Sequence, residues 1–274
     1  MIIKTLVENT SLSDNLDSEH GLSLYIEVNA QKILFDVGAS NLFIRNARKM
    51  DVDISDVDYL IISHGHYDHG GGLKAFLKEN TKAKVFLHPL AFEKYHALRL
   101  NGDFEYIGLD EELRENSQII FTSEQFFISK GIQVFSNVIH RDTLPTSNKG
   151  LFMEQDGKKV QDTFVHEQNL IIEEDGKTLL LTGCAHNGIV NILKYFYYVK
   201  GCMPDYVVGG FHLSRGSSGL YEKLENIDKI SEYLMKTNAK YYTCHCTGIQ
   251  PYNRLKAVMG ESIDYLSAGS IIKI

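Results

Sequence analysis

The sequence predicts an α/β fold whose strands end in one polar cleft. Short apolar runs that read as strands alternate along the chain with segments of helical period. A strand ends at a histidine in the first half, and from Asn169 a hairpin ends at a histidine again, as in two βαβ-like halves. Histidines follow strand-like runs at four places: His64 with His66, His186, His212 and His245. No segment reads as a linker, so the expectation is one domain over residues 1–274.

The net charge of −7 and pI of 5.9 give no chain-wide attraction to phosphate backbones or anionic membranes. Neither a nucleic acid nor a membrane is therefore an expected partner, and oligomeric state is not legible. Met1 to Glu8 is a short apolar run broken at Lys4 and lacks a small-residue cleavage site, so it does not read as a signal peptide. No stretch reaches the ~18 apolar residues of a membrane helix. The four cysteines, Cys184, Cys202, Cys244 and Cys246, lie in the C-terminal half and fit a reduced cytosol better than a disulfide framework, which gives a cytoplasmic expectation. Cys244 and Cys246 flank His245 and read as small buried residues beside a site.

Taken in order, Ile2–Val7, Leu22–Val28 and Lys32–Val37 read as strands. The loop joining the first two ends in Glu19-His20-Gly21, and the third strand ends in Phe35-Asp36-Val37-Gly38. Asn41–Met50 has a helical pattern, and Tyr59-Leu60-Ile61-Ile62 reads as a buried strand. Gly72–Asn80 reads as a helix with Leu73, Phe76 and Leu77 on one face, and the glycines at its start are expected to let backbone approach a metal closely. Lys84–Leu87 is a strand and Ala91–Leu100 a helix; His88 and His96 have no partner at ligand spacing and read as structural or exposed. Gln118–Phe127 and Gly131–Ile139 read as antiparallel strands. The polar loop Arg141–Gly150 is long enough for a lid or pocket wall, and its Arg141 and Lys149 are candidates for a phosphate. Leu170–Ile172 and Thr178–Leu181 form the second hairpin. Ile189–Lys200 is a helix whose Tyr195, Phe196, Tyr197 and Tyr198 read as core packing. Asp205–Leu213 and Lys240–Gly248 are strands ending at histidines. The helix between them, Tyr221–Lys236, has Leu224, Ile227, Ile230, Tyr233 and Leu234 as its apolar positions. A short helix at Asn253–Met259 and a strand at Ser270–Ile274 close the chain.

The densest chemistry is Ser63-His64-Gly65-His66-Tyr67-Asp68-His69-Gly70-Gly71-Gly72. In extended backbone residues i and i+2 share a face, so His64 and His66 can point at one ion. Asp68 and His69, in the turn that follows, are free to reach a second. Imidazole and carboxylate donors suit Zn²⁺ and also Mn²⁺ or Fe²⁺. A solvated polar turn is the plain reading of a lone histidine; three histidines and an aspartate at this spacing point instead to one or two divalent ions per chain.

The His-x-His-x-Asp-His run resembles the signature of the metallo-β-lactamase superfamily. With Glu19-His20-Gly21-Leu22-Ser23, Phe35-Asp36-Val37-Gly38, Gly183-Cys184-Ala185-His186, Gly209-Gly210-Phe211-His212-Leu213 and Cys244-His245-Cys246-Thr247-Gly248, the chain resembles that superfamily's 7,8-dihydropterin-6-methyl-4-(β-D-ribofuranosyl)aminobenzene 5'-phosphate synthase-like branch. The resemblance implies a four-layer αββα sandwich, one metal site of His64, His66 and His186, and another of Asp68, His69 and His245. It casts Asp36 as a buttress of the ligands, Asp68 as serving metals and catalysis, and His20 as a substrate contact. Many members carry a bridging aspartate where this chain has Gly209-Gly210-Phe211-His212. His212 is therefore read as a substrate contact or proton-transfer group, with a ligand role as the alternative. The implied activity is a metal-dependent transferase joining a dihydropterin methyl phosphate to an aryl ribose phosphate, so the expected partner is a small phosphorylated or pterin-like substrate. A metallohydrolase of a phosphodiester or lactone is the second hypothesis, and a metal-dependent pterin or nucleotide sensor the third.

Overall fold

A computed structural model describes residues 1–139, 142–215 and 219–274. The strands β1 (Ile2–Val7), β2 (Ser23–Val28) and β3 (Gln31–Phe35) precede helix α1 (Leu42–Lys49). Strand β4 (Tyr59–Ile61), helices α2 (Tyr67–Gly70) and α3 (Leu73–Glu79), and strand β5 (Lys84–Leu87) follow. The middle of the chain holds β6 (Tyr95–Leu98), β7 (Phe104–Tyr106), β8 (Ile119–Phe121), β9 (Gln125–Ser129), β10 (Ile132–Phe135), β11 (Leu151–Gln155) and β12 (Lys158–Gln161). Then come β13 (Asn169–Glu174), β14 (Lys177–Thr182), α4 (Ile189–Lys200), β15 (Tyr206–Gly209), β16 (Ser214–Arg215), β17 (Leu220–Tyr221) and α5 (Leu224–Lys236). The chain ends with β18 (Lys240–Thr243), α6 (Ile249–Met259), β19 (Ile263–Tyr265) and β20 (Ile271–Lys273).

Two seven-stranded sheets, ordered β20-β1-β2-β3-β4-β5-β8 and β19-β18-β15-β14-β13-β10-β9, pack face to face. Side-chain alternation along each strand sorts residues into separate cores. Ile33, Phe35, Leu179 and Leu181 enter the layer between the sheets; Leu34 faces α1 and α3, and Leu180 faces α4, α5 and α6. The result is the αββα sandwich. Within each sheet one block of strands is parallel: β3-β4-β5-β8 and β14-β15-β18-β19. In open parallel sheets ligand sites form beyond the carboxyl ends of the strands, and the segments carrying His64, His186, His212 and His245 leave β4, β14, β15 and β18 at those ends. The buried Gln168 clamps the two halves together: its amide donates to the Ile62 and Phe86 carbonyls, and its backbone N–H donates to the Ser63 carbonyl.

Several expectations need correction. Ala91–Leu100 is not a helix. Tyr95–Leu98 is instead a strand in a separate four-stranded sheet, β12-β11-β6-β7, where Tyr95 and Ala97 point into a small core with Ile107. Gln118–Phe127 divides into β8 and β9, which belong to different sheets. On α4, Tyr195 and Phe196 are buried but Tyr197 and Tyr198 are exposed; Leu224, at the start of α5, is exposed as well. The helix expected from Asn253 starts four residues earlier. The glycines before α3 serve backbone packing rather than metal approach, since a Cβ on Gly71 would lie 2.5 Å from the Ala39 carbonyl and one on Gly72 2.4 Å from the Val37 carbonyl. Among the described residues no helix is long and apolar enough to cross a membrane.

Candidate metal centre

The turn after β4 is held in place before any ligand is considered. Asp36, at the end of β3, is fully buried; one oxygen accepts from the Ser63 backbone N–H at 2.7 Å, and the other accepts from the Ser63 hydroxyl at 2.7 Å. Gly65 packs so tightly that a Cβ would come within 2.2 Å of the Ala91 carbonyl, and its N–H donates to His166 Nδ1 at 2.9 Å. His64 and His66 are thereby fixed side by side, with ring centroids 4.6 Å apart.

The hydrogen-bond network then sets the tautomers. The Ser63 hydroxyl proton goes to Asp36, so His64 Nδ1 donates to Ser63 Oγ at 2.9 Å. His69 Nδ1 donates to Asp36 at 2.6 Å. Asn148 donates its amide to the His186 carbonyl, which turns its oxygen toward His186 Nδ1 at 3.0 Å. Asn9 Oδ1 accepts from the Gly21 N–H and from His245 Nδ1, the latter at 2.8 Å. All four rings therefore carry the proton on Nδ1, the arrangement of metal-ligating histidines held by outer partners. Their Nε2 lone pairs face one another: His64 with His186 at 3.3 Å and His69 with His245 at 3.2 Å.

The lone pairs of neutral His64 and His186 repel at that separation unless positive charge lies between them, and between His69 and His245 that charge is a proton on His69 or an ion in its place. Nitrogens about 2.0–2.1 Å from a shared tetrahedral Zn²⁺ stand about 3.3 Å apart, so the spacing fits a divalent ion in each pair. His66 completes the first group: it, His64 and His186 each offer a nitrogen within 4.8 Å of the others. In the second, Asp68 Oδ2 lies 3.3 Å from His245 Nε2 and 3.9 Å from His69 Nε2. The expected site residues are thus brought together as the two expected trios.

Electrostatics match this arrangement. Burial, reinforced by neighbouring imidazoles, holds His64 and His186 well below the usual histidine value and lowers His245 and His212 to about 3, so these rings are neutral. Burial works the same way on His69, but Asp36 and Asp68 outweigh it and push the ring up. For Asp68, burial is outweighed by His69, His20 and His245, which hold the carboxyl well below the usual range. The position between His69, His245 and Asp68 thus attracts positive charge.

His20 sits at the rim with its side chain half exposed, Nε2 3.2 Å from Asp68. His212 lies 4.1 Å from the His186 ring, centroid to centroid, and neither of its buried ring nitrogens has a hydrogen-bond partner; His66 Nε2 likewise has none. The loop expected to form a wall does so from 142 to 150: its 3₁₀ turn Thr146–Gly150 brings Asn148 onto His186 and the Ser147 hydroxyl onto the His212 carbonyl. Lys149 is exposed, and Arg141 lies outside the described residues.

Sequence reading missed the anchors. Glu8, fully buried at the end of β1, accepts from the His245 backbone N–H at 2.6 Å. Glu167, whose carboxyl burial pushes up, accepts from the backbone N–H groups of His186 at 2.6 Å and Asn187 at 3.0 Å. Asp162 lies 3.2 Å from His166 Nε2 and 3.7 Å from His66 Nε2. An acidic residue at the end of an apolar strand is the signal that marked Asp36, and it stands equally at Glu8.

The uncharacterized protein MJ0448 of Methanocaldococcus jannaschii is 32% identical over 282 residues, covering 100% of both chains. The same organism's 7,8-dihydropterin-6-methyl-4-(β-D-ribofuranosyl)-aminobenzene-5'-phosphate synthase is 29% identical over 93% of this chain and 90% of its own length. Among solved structures, Tm1679, described as a metal-dependent hydrolase of the β-lactamase superfamily, superimposes with a TM-score of 0.84 at 30% identity, covering 100% of this chain and 99% of its own. The family model described as metallo-beta-lactamase superfamily matches residues 17–231. Sandwich, strand-end histidines and sequence agree: the chain belongs to the metallo-β-lactamase superfamily.

Proposed function

We propose that the chain is an enzyme that binds two divalent ions, one at His64, His66 and His186 and the other at Asp68, His69 and His245, and acts on a small phosphorylated or pterin-like substrate. The observation that carries this reading is the facing of Nε2 atoms across 3.3 and 3.2 Å, each ring held through Nδ1 by an acceptor on its far side. Ions bound there would supply Lewis acidity and neutralise a phosphate. Likeness along 93% of the chain to a named synthase supports a transferase. In that reaction an arylamine nitrogen bonds to the methylene on C6 of the dihydropterin, the carbon–oxygen bond to phosphate breaks, phosphate leaves with the electron pair, and the amine gives up one proton. His212, with two unpartnered ring nitrogens beside the first trio, contacts the substrate and accepts that proton. His20 contacts the substrate at the rim and Asp68 keeps the second trio negative.

A hydrolase is the second reading, supported by the full-length likeness to Tm1679; water then takes the place of the arylamine. Metal-loaded protein incubated with a phosphorylated 6-methyl-dihydropterin and an aryl ribose phosphate separates the two. Condensed product with one phosphate released per turnover supports transfer. Phosphate release without condensation, or turnover of simple phosphodiesters, supports hydrolysis. Inertness of fully loaded protein in all these assays refutes both.

A further inference from the structure

We propose that the Cys184 sulfur is itself a metal ligand, placed where it reaches residues of both trios. The proposal rests on the two-ion reading above and deepens it. Cys184 is buried at the carboxyl end of β14, two residues before His186. Its Sγ stands 3.1 Å from His69 Nε2. It offers a donor within 4.8 Å of His64 and His69 in one group and of His186 and His212 in another, so it reaches residues of both trios. His212, in that second group, has two buried ring nitrogens without a hydrogen-bond partner.

No carboxylate comes from the strand on which many members carry one. The strand that would bring one has Gly209-Gly210-Phe211-His212, and a Cβ on Gly210 would lie 2.4 Å from Cys246 Sγ. Cys246 is the other sulfur nearby, but its Sγ is engaged with backbone: it accepts from the His212 N–H at 3.3 Å and donates to the Cys184 carbonyl at 3.5 Å. Cys184 Sγ faces His69 Nε2 at 3.1 Å, with the Cys246 sulfur and His245 also within 4.8 Å. A thiolate about 2.3 Å from Zn²⁺ and an imidazole about 2.05 Å from the same tetrahedral ion would be about 3.6 Å apart, so ligation asks the 3.1 Å contact to open by a few tenths of an ångström. On binding, the thiol proton goes to solvent and the sulfur lone pair to the ion. Sulfur in the donor set favours zinc over manganese or magnesium.

X-ray absorption at the zinc edge of the reconstituted full-length chain tests this directly. The expected result is a sulfur scatterer at about 2.3 Å in the wild type, its loss in Cys184→Ser, and its retention in Cys246→Ser. The cobalt-substituted protein should show thiolate-to-cobalt charge transfer in the near ultraviolet, again lost only in Cys184→Ser. Zinc retention against a chelator should weaken in Cys184→Ser by at least the ~10–100-fold that loss of an outer partner produces. Two bound zinc ions with nitrogen and oxygen scatterers alone in the wild type overturn the proposal while leaving the two-ion reading intact, and so does a sulfur shell that survives in Cys184→Ser. A chain that takes up no zinc overturns both. Because the wild-type spectrum decides the first point, a variant that fails to fold does not shield the proposal.

Discussion

Replacing Glu8 by glutamine removes one buried charge and almost no volume, so its consequences can be worked out atom by atom. The carboxylate is ringed by four donors. Oε1 accepts from the His245 N–H at 2.6 Å and the Tyr265 hydroxyl at 2.7 Å; Oε2 accepts from the Thr10 N–H and the Thr10 hydroxyl, both at 2.6 Å. Glu8→Gln turns one oxygen into an NH₂ that cannot accept. Whichever way the amide is placed, the hydroxyl on that side can rotate to accept from it, but the backbone N–H cannot. One buried peptide donor is left opposed, at the cost of a bond to a charged acceptor, about 1.5–3 kcal/mol, together with the desolvation penalty of an orphaned donor, about 1–3 kcal/mol. We expect a loss of roughly 3 kcal/mol. In a chain of this size that lowers Tm by roughly 5–10 °C. Thermal unfolding of the metal-free protein measures the first effect, and chelator titration of the loaded protein measures the second: the ion on the His245 side should leave first, while the His186 side, held by Glu167 and Asn148, keeps its own. A Tm unchanged within ~1 °C together with unaltered release of both ions would refute the reasoning that Glu8 sets the His245 loop.

Two further outcomes follow from the same geometry. His212→Ala should keep its full metal complement and lose about 10²-fold or more in kcat/KM; metal stoichiometry and kinetics on one preparation check this, and an emptied site would make His212 a ligand instead. The metal-free protein should lose stability between pH 7 and 5, because His64, His186, His212 and His245, lowered by burial, stay neutral in the fold and take up protons near pH ~6.5 when unfolded. His69 and His20, which burial lowers and nearby carboxylates raise by more, oppose this only above the unfolded value and are charged in both states below it; Asp68 stays ionised throughout, and His88, His96 and His166, also lowered by burial, add to the uptake; a urea midpoint equal or higher at pH 5 would count against this.

What the sequence disclosed is what depends on neighbours along the chain. His64, His66, Asp68 and His69 lie within six positions, so their spacing alone suggests a shared site, and the parallel strands announce themselves as apolar runs. Asp36 was legible for the same reason. Glu8 and Asn9 meet His245 across more than two hundred residues, and no periodicity carries that pairing. The four-stranded sheet was hidden because its strands are short and partly exposed: Phe104 and Tyr106 face solvent, and Tyr95 and Phe92 fit a helical face as readily as a strand. Cys184 stood in the sequence only as part of the Gly183-Cys184-Ala185-His186 run, and the position of its sulfur against His69 is what gives it chemistry.

The backbone shows where the fold bears the strain of this arrangement. Among the described residues, those other than glycine, asparagine and aspartate with φ between +20° and +160° are Ala30, Phe164, Ala185, His212 and His245. Ala30 belongs to the turn between β2 and β3; the other four line the metal centre, with Phe164 stacked on His186 at 4.4 Å. Such conformations cost about 1–3 kcal/mol each and persist only where surrounding contacts over-determine them. Those contacts are identifiable: Glu8 on the His245 N–H, Cys246 on the His212 N–H, and Glu167 on the His186 N–H next to Ala185. Ala185 directly precedes His186, and His212 and His245 carry their rings on the strained residue itself, so a relaxed turn would aim those rings elsewhere. Anchoring carboxylates and strained turns are therefore parts of one device, in which buried acceptors hold the loops in a conformation that the chain alone would leave and that bound ions, by binding the folded state, would stabilise further.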